Sequence, residues 1–382
     1  MNYKLGALIK KTPKTVCGKG DYPVLSITKN SGLILQSERF KKQIASVDQS
    51  KYLVVKRGQL VLSIHLDDGV LGVQDVVEEG IVSPAYKIWD INTNIVKSKY
   101  LEYLLKTPKS IEYYKSKAQS SVAGRCNVRD TDLLQMEVNI PSLMDQEKAL
   151  SLIELAGKVL VGKRREIQKL DDSIKGRFVE LFGDPEINQY EWPESQIGDN
   201  CFVTKLAGFE YTKYIHYSDS GDVVMVKAQN VKNGAINQKG LSYISNEVSD
   251  SLPRSQLAPG DVVMTYVGAN IGDVAIIDDK HKYHLAPNVA KIRPDNEVYD
   301  PVFFMYLLMM KTDYIVRNSA DTAKAALGMG RIRALRVFTP PIEMQKQFSA
   351  FVAQANKTKT VMQKTLEKTQ LLFDSLMQEY FG

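Results

Sequence analysis

The sequence predicts an α+β protein in which two similar globular domains stand in tandem, separated by two long helices packed as an antiparallel coiled coil. Three observations predict it. Landmarks of the first half return in the same order in the second. Short β-branched and aromatic runs fill the first part of each half, and proline-free stretches with three- and four-residue apolar spacing fill the rest. The expected boundaries are 1–141 for the first domain, 142–184 for the first long helix, 185–339 for the second domain and 340–382 for the second long helix.

The repeat justifies the two domains. Each half opens on an apolar residue followed by glycine, Leu5-Gly6 and Ile197-Gly198. Each then reaches a glycine turn and a strand, Lys56 to Ser63 and Ala258 to Thr265, and a second glycine-bearing segment (Gly69 and Gly72; Gly268 and Gly272). Ser83-Pro84-Ala85-Tyr86-Lys87-Ile88 then matches Ala286-Pro287-Asn288-Val289-Ala290-Lys291-Ile292. Pro141 to Gln146 matches Pro340 to Gln345, and Leu181-Phe182-Gly183 matches Tyr380-Phe381-Gly382; the Pro, Gln and final Gly of each set lie 199 residues apart. Glycine and proline punctuate any chain, but a common order at near-constant spacing marks a tandem duplication.

Runs such as Tyr22 to Thr28, Tyr52 to Ile64, Val223 to Val226 and Asp261 to Val267 read as strands. One helix is expected around Lys99 to Lys117 and one around Pro301 to Asn318. From Ser142 to Gly183 the seam runs through Leu150, Ile153, Gly157, Leu160, Arg164, Ile167, Asp171, Ile174, Phe178 and Leu181. From Ile342 to Gly382 it runs through Phe348, Phe351, Ala355, Thr358, Met362, Thr365, Thr369, Leu372 and Leu376. Ser142 with Asp145 suits a capped helix start, and Pro341 suits a first turn. Polar residues in both seams weaken each as an isolated coiled coil, and pairing with each other explains their matched length.

Composition bounds the function. Hydrophobic residues at 44% and charged residues at 25% fit a globular protein, and a net charge of +6 permits a polyanionic partner without requiring one. No apolar stretch approaches ~18 residues and no secretory leader is recognisable, so a cytoplasmic protein with no membrane partner is expected. Cys17, Cys126 and Cys201 are too far apart for a metal-ligand pair. Phosphate-loop and dinucleotide motifs are absent; Gly18-Lys19-Gly20 and Gly328-Met329-Gly330 are short loop fragments. Thr339-Pro340-Pro341-Ile342 has prolines without the polar and aromatic partners of an amino-methyltransferase motif. His281 and His284 lack a framework to complete a metal site and read as an exposed polar loop. No catalytic, cofactor-binding or metal-ligating residue is expected.

Polar and basic residues cluster where the loops of each half should lie. In the first half they are Thr28, Lys29, Asn30, Arg39, Lys41, Lys42, His65, Arg125 and Arg129; in the second, Lys227, Gln229, Asn230, Thr265, Tyr266, Asn288, Lys324, Arg331 and Arg333. Arg and Lys bridge guanine or bind phosphate, and Asn and Gln pair with adenine in the major groove. Any one of them also suits an ordinary solvated loop. The pairs Arg125/Arg129 and Arg331/Arg333 matter most, because each precedes the strand leading into a long helix.

With these features in hand, the chain resembles the specificity subunit of type I restriction-modification systems over essentially its whole length. The resemblance is carried by Trp192 through Gly198, by Leu257 to Thr265 with its Pro-Gly-Asp, by the run from Gly328 to Gln345, and by the Phe-Gly endings at Gly183 and Gly382. It implies two target-recognition domains, each reading one half of a split double-stranded DNA site, and helices that set the gap and dock two methyltransferase subunits. Restriction/translocase subunits would join that core, and S-adenosylmethionine, ATP and Mg would be bound by the partner subunits. Two alternatives stay open: a fused methyltransferase or nuclease with an unrecognised motif, and a coiled-coil scaffold or decoy subunit without its own DNA specificity.

Overall fold

The computed structural model describes residues 1–29, 31–39, 49–120, 126–319 and 326–382 as a mixture of helices and sheets. They divide into two compact units: unit 1 holds Met1–Arg164 with Lys364–Gly382, and unit 2 holds Arg165–Gln363. Each unit therefore combines one globular portion with part of each long helix.

The duplication is structural. In unit 1 a strand at Asn2–Lys4 pairs antiparallel with Glu137–Asn139, and in unit 2 Glu194–Gln196 pairs in the same way with Arg336–Phe338. A short helix follows the first strand of each pair, Leu5–Leu8 and Ile197–Asn200. Its glycine is demanded by close approach: a Cβ at Gly6 would lie 3.2 Å from the Leu134 carbonyl, and one at Gly198 would lie 2.9 Å from the Arg333 Cβ. Unit 1 then builds an antiparallel sheet in the order Ile9–Lys11, Lys87–Ile91, Leu60–Leu62, Leu71–Val73. Unit 2 repeats that order with Cys201–Lys205, Val289–Pro294, Val262–Thr265 and Val274–Ile276. The turn before the second of these strands in sequence order, third in the sheet, is left-handed in both, with φ of +88° at Gly58 and +89° at Gly260.

Between these shared elements the units diverge. Unit 1 carries two hairpin-like pairs, Leu25–Thr28 with Gly32–Leu35 and Leu53–Lys56 with Glu79–Val82. Unit 2 instead carries a second four-stranded sheet, in which Val223–Val226 runs parallel to Lys282–Leu285. The expected strand from Tyr52 to Ile64 is two strands, split by the Gly58 turn.

The single helix expected in each half is also two. In unit 1 Ser98–Leu105 is followed by Pro108–Lys117, because Thr107 caps the Ser110 backbone N–H and Pro108 fills the first turn. Unit 2 has Pro301–Met310 and Thr312–Arg317, and Asp300 caps the first of them through Val302 and Phe303.

The long helices run Leu143–Phe182 and Ile342–Phe381, 40 residues each, or about 60 Å at 1.5 Å per residue. Within unit 2, Phe178 and Phe182 pack on Phe303 and Phe348, while Lys359 pairs with Asp171 at 2.6 Å. Within unit 1, Phe381 packs on Tyr100 and Tyr103, and Arg164 donates to Gln370 at 3.1 Å. The helices therefore run antiparallel inside each unit. The first seam's Ile153, Leu160, Ile174 and Phe178 are buried as expected. The second seam is shifted by one residue at two positions: Val352 is buried beside an exposed Phe351, and Phe373 joins the core beside an exposed Leu372. Packing against the globular portion, not against a helix alone, selects that face.

One pair of contacts explains a landmark. In the first turn of the first long helix, the Gln146 amide donates to the carbonyls of Pro141 and Ile95, both at 3.0 Å, and accepts from the Lys97 backbone N–H. Gln345 donates to Pro340 and Val298 and accepts from the Asp300 backbone N–H. Both glutamines are fully buried, and each ties its long helix to the start of the helix after the sheet. The spacing from Pro to Gln is the spacing of this clasp.

Candidate nucleic-acid interface

Unit 2 brings several expected residues to one place. The strand Val262–Thr265 runs into Tyr266, whose N–H donates to the Asn288 carbonyl at 3.0 Å and whose carbonyl accepts from Leu327 at 2.8 Å. A bridge between Val267 and Ala326 continues this contact toward the short helix Met329–Ala334. Asn288 is exposed at φ +69°, a conformation asparagine tolerates better than most side chains. Arg331 donates to the Asn318 carbonyl at 3.2 Å and Arg333 to the Val203 carbonyl at 2.8 Å; both residues remain exposed. Lys205 places its ammonium 5.5 Å from the Tyr266 ring, a cation–π distance. Tyr266, Asn288, Arg331 and Arg333 are thus linked through neighbouring backbone.

A second group lies after Val223–Val226. Lys227 donates to the Ser242 hydroxyl at 2.8 Å and lies 5.8 Å from the Tyr217 ring, and exposed Gln229 donates to the Gly240 carbonyl. Asn230 is fully buried: its amide holds the Asn237 and Lys239 carbonyls, and its oxygen accepts from Lys227. Thr265 is fully buried too, and its hydroxyl has no partner among the described residues. Neither side chain stands at the surface as the sequence expectation had it. The strand Val262–Thr265 is covered on both faces, which buries Thr265, and the turn's open carbonyls turn Asn230 inward.

Unit 1 positions fewer. Thr28 closes a hairpin by accepting from Ser31 and donating to the Gly32 carbonyl, leaving Lys29 exposed at the tip. His65 is exposed before a single 3-10 turn. Arg129 is exposed and pairs with Asp132 at 2.7 Å. Next to it Asp130 takes hydrogen bonds from Lys11 and Lys87. Burial opposes its ionisation, but the two lysines outweigh that and hold the carboxyl below its ordinary range. Arg39 ends the helix Gln36–Arg39. The side chain of Arg39, together with Asn30, Lys41, Lys42, Arg125 and Lys324, lies outside the described residues.

Other candidates were passed over in the sequence. The helix Gly208–Tyr214 and the residues after it expose Phe209, 69% accessible, with Tyr214 and Tyr217, while Lys213 lies 5.0 Å from the Tyr214 ring. Aromatic faces interleaved with lysine suit base stacking and phosphate contact. The run Gly-Phe-Glu-Tyr-Thr-Lys-Tyr-Ile-His-Tyr was the available signal. Lys205 had no such signal, because only the fold sets it over Tyr266.

Of the two histidines expected in an exposed polar loop, His281 is exposed in a bend, whereas His284 is not. His284 is fully buried in the strand Lys282–Leu285, and burial pushes its imidazole below the ordinary value, keeping it neutral. Among the described residues no group of three or more His, Cys, Asp or Glu could hold a metal ion, and no helix is long and apolar enough to cross a membrane.

Residues 190–370 match the model of the type I restriction modification DNA specificity domain. The type I restriction enzyme EcoBI specificity subunit of Escherichia coli is 25% identical over 166 residues, 42% of this chain and 35% of that protein. A putative type I restriction enzyme MjaX specificity subunit of Methanocaldococcus jannaschii is 21% identical over 266 residues, 67% of this chain and 60% of that protein. The match thus spans about a third of one relative's length and 60% of the other's. Among solved structures, the type I restriction-modification S subunit from M. genitalium has a TM-score of 0.56 at 13% identity, covering 100% of this chain and 96% of that one. A structure from work on complex assembly and conformational transition of the type I R-M system has a TM-score of 0.59 at 13% identity, covering 100% and 97%. Both likenesses are of fold.

Proposed function

From its type I restriction modification DNA specificity domain, we propose that this chain is the non-catalytic DNA-sequence-specificity subunit of a cytoplasmic type I restriction-modification complex. Each globular portion reads one half of a bipartite double-stranded DNA site. The long helices, paired along their length as an antiparallel coiled coil, set the spacing and dock two methyltransferase subunits; restriction/translocase subunits complete the assembly. S-adenosylmethionine, ATP and Mg belong to those partners. The observation that carries the reading is the architecture repeated along the chain: the same sheet order, the same glutamine clasp and a 40-residue helix after each globular portion.

Two readers that share a scaffold but differ in their middle sheets suit two different half-sites. Base readout needs exposed side chains on a scaffold that phosphate contacts hold in register. In unit 2 Tyr266, Asn288, Arg331 and Arg333, with Lys205, make up that surface; in unit 1 Lys29, His65 and Arg129 contribute. Exposed Leu155, Val161 and Leu371 on the helices offer apolar ground for partner docking. The test is single-molecule mapping of modified bases in the host genome, with and without the gene for this chain. A split motif that disappears with the gene is the expected result; an unsplit motif, or one that persists, would overturn the reading.

A further inference from the structure

We propose that unit 2 carries a surface for unpaired, single-stranded DNA, a strip of aromatic rings and lysines; its place in the working complex rests on the duplex-reading role proposed for this unit. The strip begins where the strand Cys201–Lys205 ends. Only Leu206 and Ala207 separate Lys205, whose ammonium lies 5.5 Å from the Tyr266 ring, from the helix Gly208–Tyr214. Three aromatic side chains then follow within nine residues: Phe209, Tyr214 and Tyr217, 69%, 38% and 42% exposed. Each of the two tyrosine rings has its own lysine. Lys213 lies 5.0 Å from Tyr214, and Lys227 lies 5.8 Å from Tyr217. Tyr211, half-buried against the core, lies 6.0 Å from the Tyr217 ring and ties it to the fold.

The lysines keep their charge available for an anion. Among the described residues none of Lys205, Lys213 and Lys227 forms an ion pair; Lys227 donates to the Ser242 hydroxyl instead. Glu210, the one carboxylate of the helix, is engaged elsewhere, accepting from the Ala207 backbone N–H at 3.0 Å and facing Arg254 at 3.7 Å. Asp219 and Asp222 come after Tyr217 and pair with none of the three lysines.

Exposed rings suit two classes of partner, and the lysines decide between them. Lysine is depleted from the cores of protein–protein interfaces, whereas cations beside rings are what a polyanion of stackable bases requires. The pairing state follows from Phe209. Its side chain has no hydrogen-bond donor or acceptor, so it offers nothing to a phosphate and little to a base edge, the two parts of a duplex that lie open. A base face is open only when the base has left the stack, and an aromatic ring then stacks on it whatever its identity. Chemistry on a base withdraws it from the duplex, so the methylation proposed for the assembled complex supplies unpaired nucleotides.

The test titrates the full chain into a labelled oligothymidylate of about 15 nucleotides and into the same strand paired with its complement, both followed by fluorescence anisotropy. Phe209→Ala should weaken single-strand binding about tenfold, the scale of one lost stacking contact, with its salt dependence unchanged. Phe209→Leu, which keeps an apolar side chain of similar size, should lose as much, and Phe209→Trp should restore binding. Lys213→Gln should instead reduce the salt slope by about 0.7, the value of one phosphate contact on a single strand. Both side chains are exposed, so thermal stability should not change. An oligothymidylate that fails to bind, or Phe209→Leu binding like the parent chain, overturns the proposal. Equal losses on single strand and duplex overturn it too, because Phe209 then acts as a wedge in paired DNA. So does intact oligothymidylate binding by Phe209→Ala in a chain that no longer retains its methyltransferase subunits, because the strip then meets protein. The duplex-reading role fails differently: a chain that binds oligothymidylate through Phe209, in a host without a split methylation motif, keeps this proposal and refutes that one.

Discussion

Gln146 and Gln345 illustrate what one side chain carries here. Each is itself fully buried and pairs with two carbonyls and one N–H. Gln345→Ala should cost unit 2 roughly 1 to 3 kcal/mol, the range for leaving a buried polar group unsatisfied, read as a lower urea midpoint. The Pro-to-Gln spacing was visible as a repeated landmark, but its cause was not, because the partners Val298 and Ile95 lie about 50 residues away. His284 gives a pH dependence with a defined sign. Burial first, then the Lys291 charge, lowers its pKa from 6.5, outweighing carbonyl contacts at Leu285 and Leu252. The unfolded chain therefore takes up the proton first. Its stability contribution is complete above pH 6.5 and is lost as pH falls below that value. The melting temperature should fall between pH 7.5 and 5.5 accordingly, and His284→Phe should flatten that dependence. At the candidate interface, Arg331→Ala with Arg333→Ala should weaken DNA binding by the assembled enzyme, ~1 to 3 kcal/mol for each residue that pairs with a base and a shallower salt slope for each that pairs with phosphate. Unchanged affinity and salt slope in a folded double variant would remove this corner from the DNA.

Among the elements, the long helices were the most legible, since a local period of three and four residues needs no knowledge of distant partners. Their ends came within one or two residues of those expected. Which face turns inward at Val352 and Phe373 was not legible, because the globular portion, contributed by a remote stretch of sequence, decides it. The sheets were legible as strands but not as an order: Ile9–Lys11 meets Lys87–Ile91 about 80 residues on, and no short-range pattern encodes that pairing. The same limit applies to the candidate site, where Lys205 and Tyr266 meet only through the sheet. As spacers, the helices make a measurable prediction. Inserting four residues into the middle of both adds about 6 Å at 1.5 Å per residue, while DNA advances ~3.4 Å per base pair. The methylated motif should gain one or two spacer base pairs with both half-sites unchanged, a shift that methylome mapping of the variant reads directly. An active variant with an unchanged spacer would refute the helices as rulers.

For the whole molecule, the notable fact is how the chain is divided between its units. Residues 165–363 close unit 2 on their own, whereas unit 1 joins the first 164 residues to the last 19. Phe381 sits in the unit 1 core against Tyr100, and the Tyr100 hydroxyl donates to the Tyr380 carbonyl at 2.9 Å. Deleting Lys364–Gly382 should therefore strip hydrogen-exchange protection from Tyr100–Leu105 while Phe303–Leu308 stays protected; equal loss in both would show that the units do not fold separately. A peptide chain emerges from the ribosome N-terminus first, at ~5 to 20 residues per second. The 199 residues from 165 to 363 take ~10 to 40 seconds at that rate, so residues 1–164 wait at least that long for their missing wall. During that interval unit 2 can already be complete while Tyr100, Leu101 and Leu105 lack their final neighbours. Of the two units, the one begun earlier is thus the later to close, and the longer exposure to chaperones and proteases belongs to it.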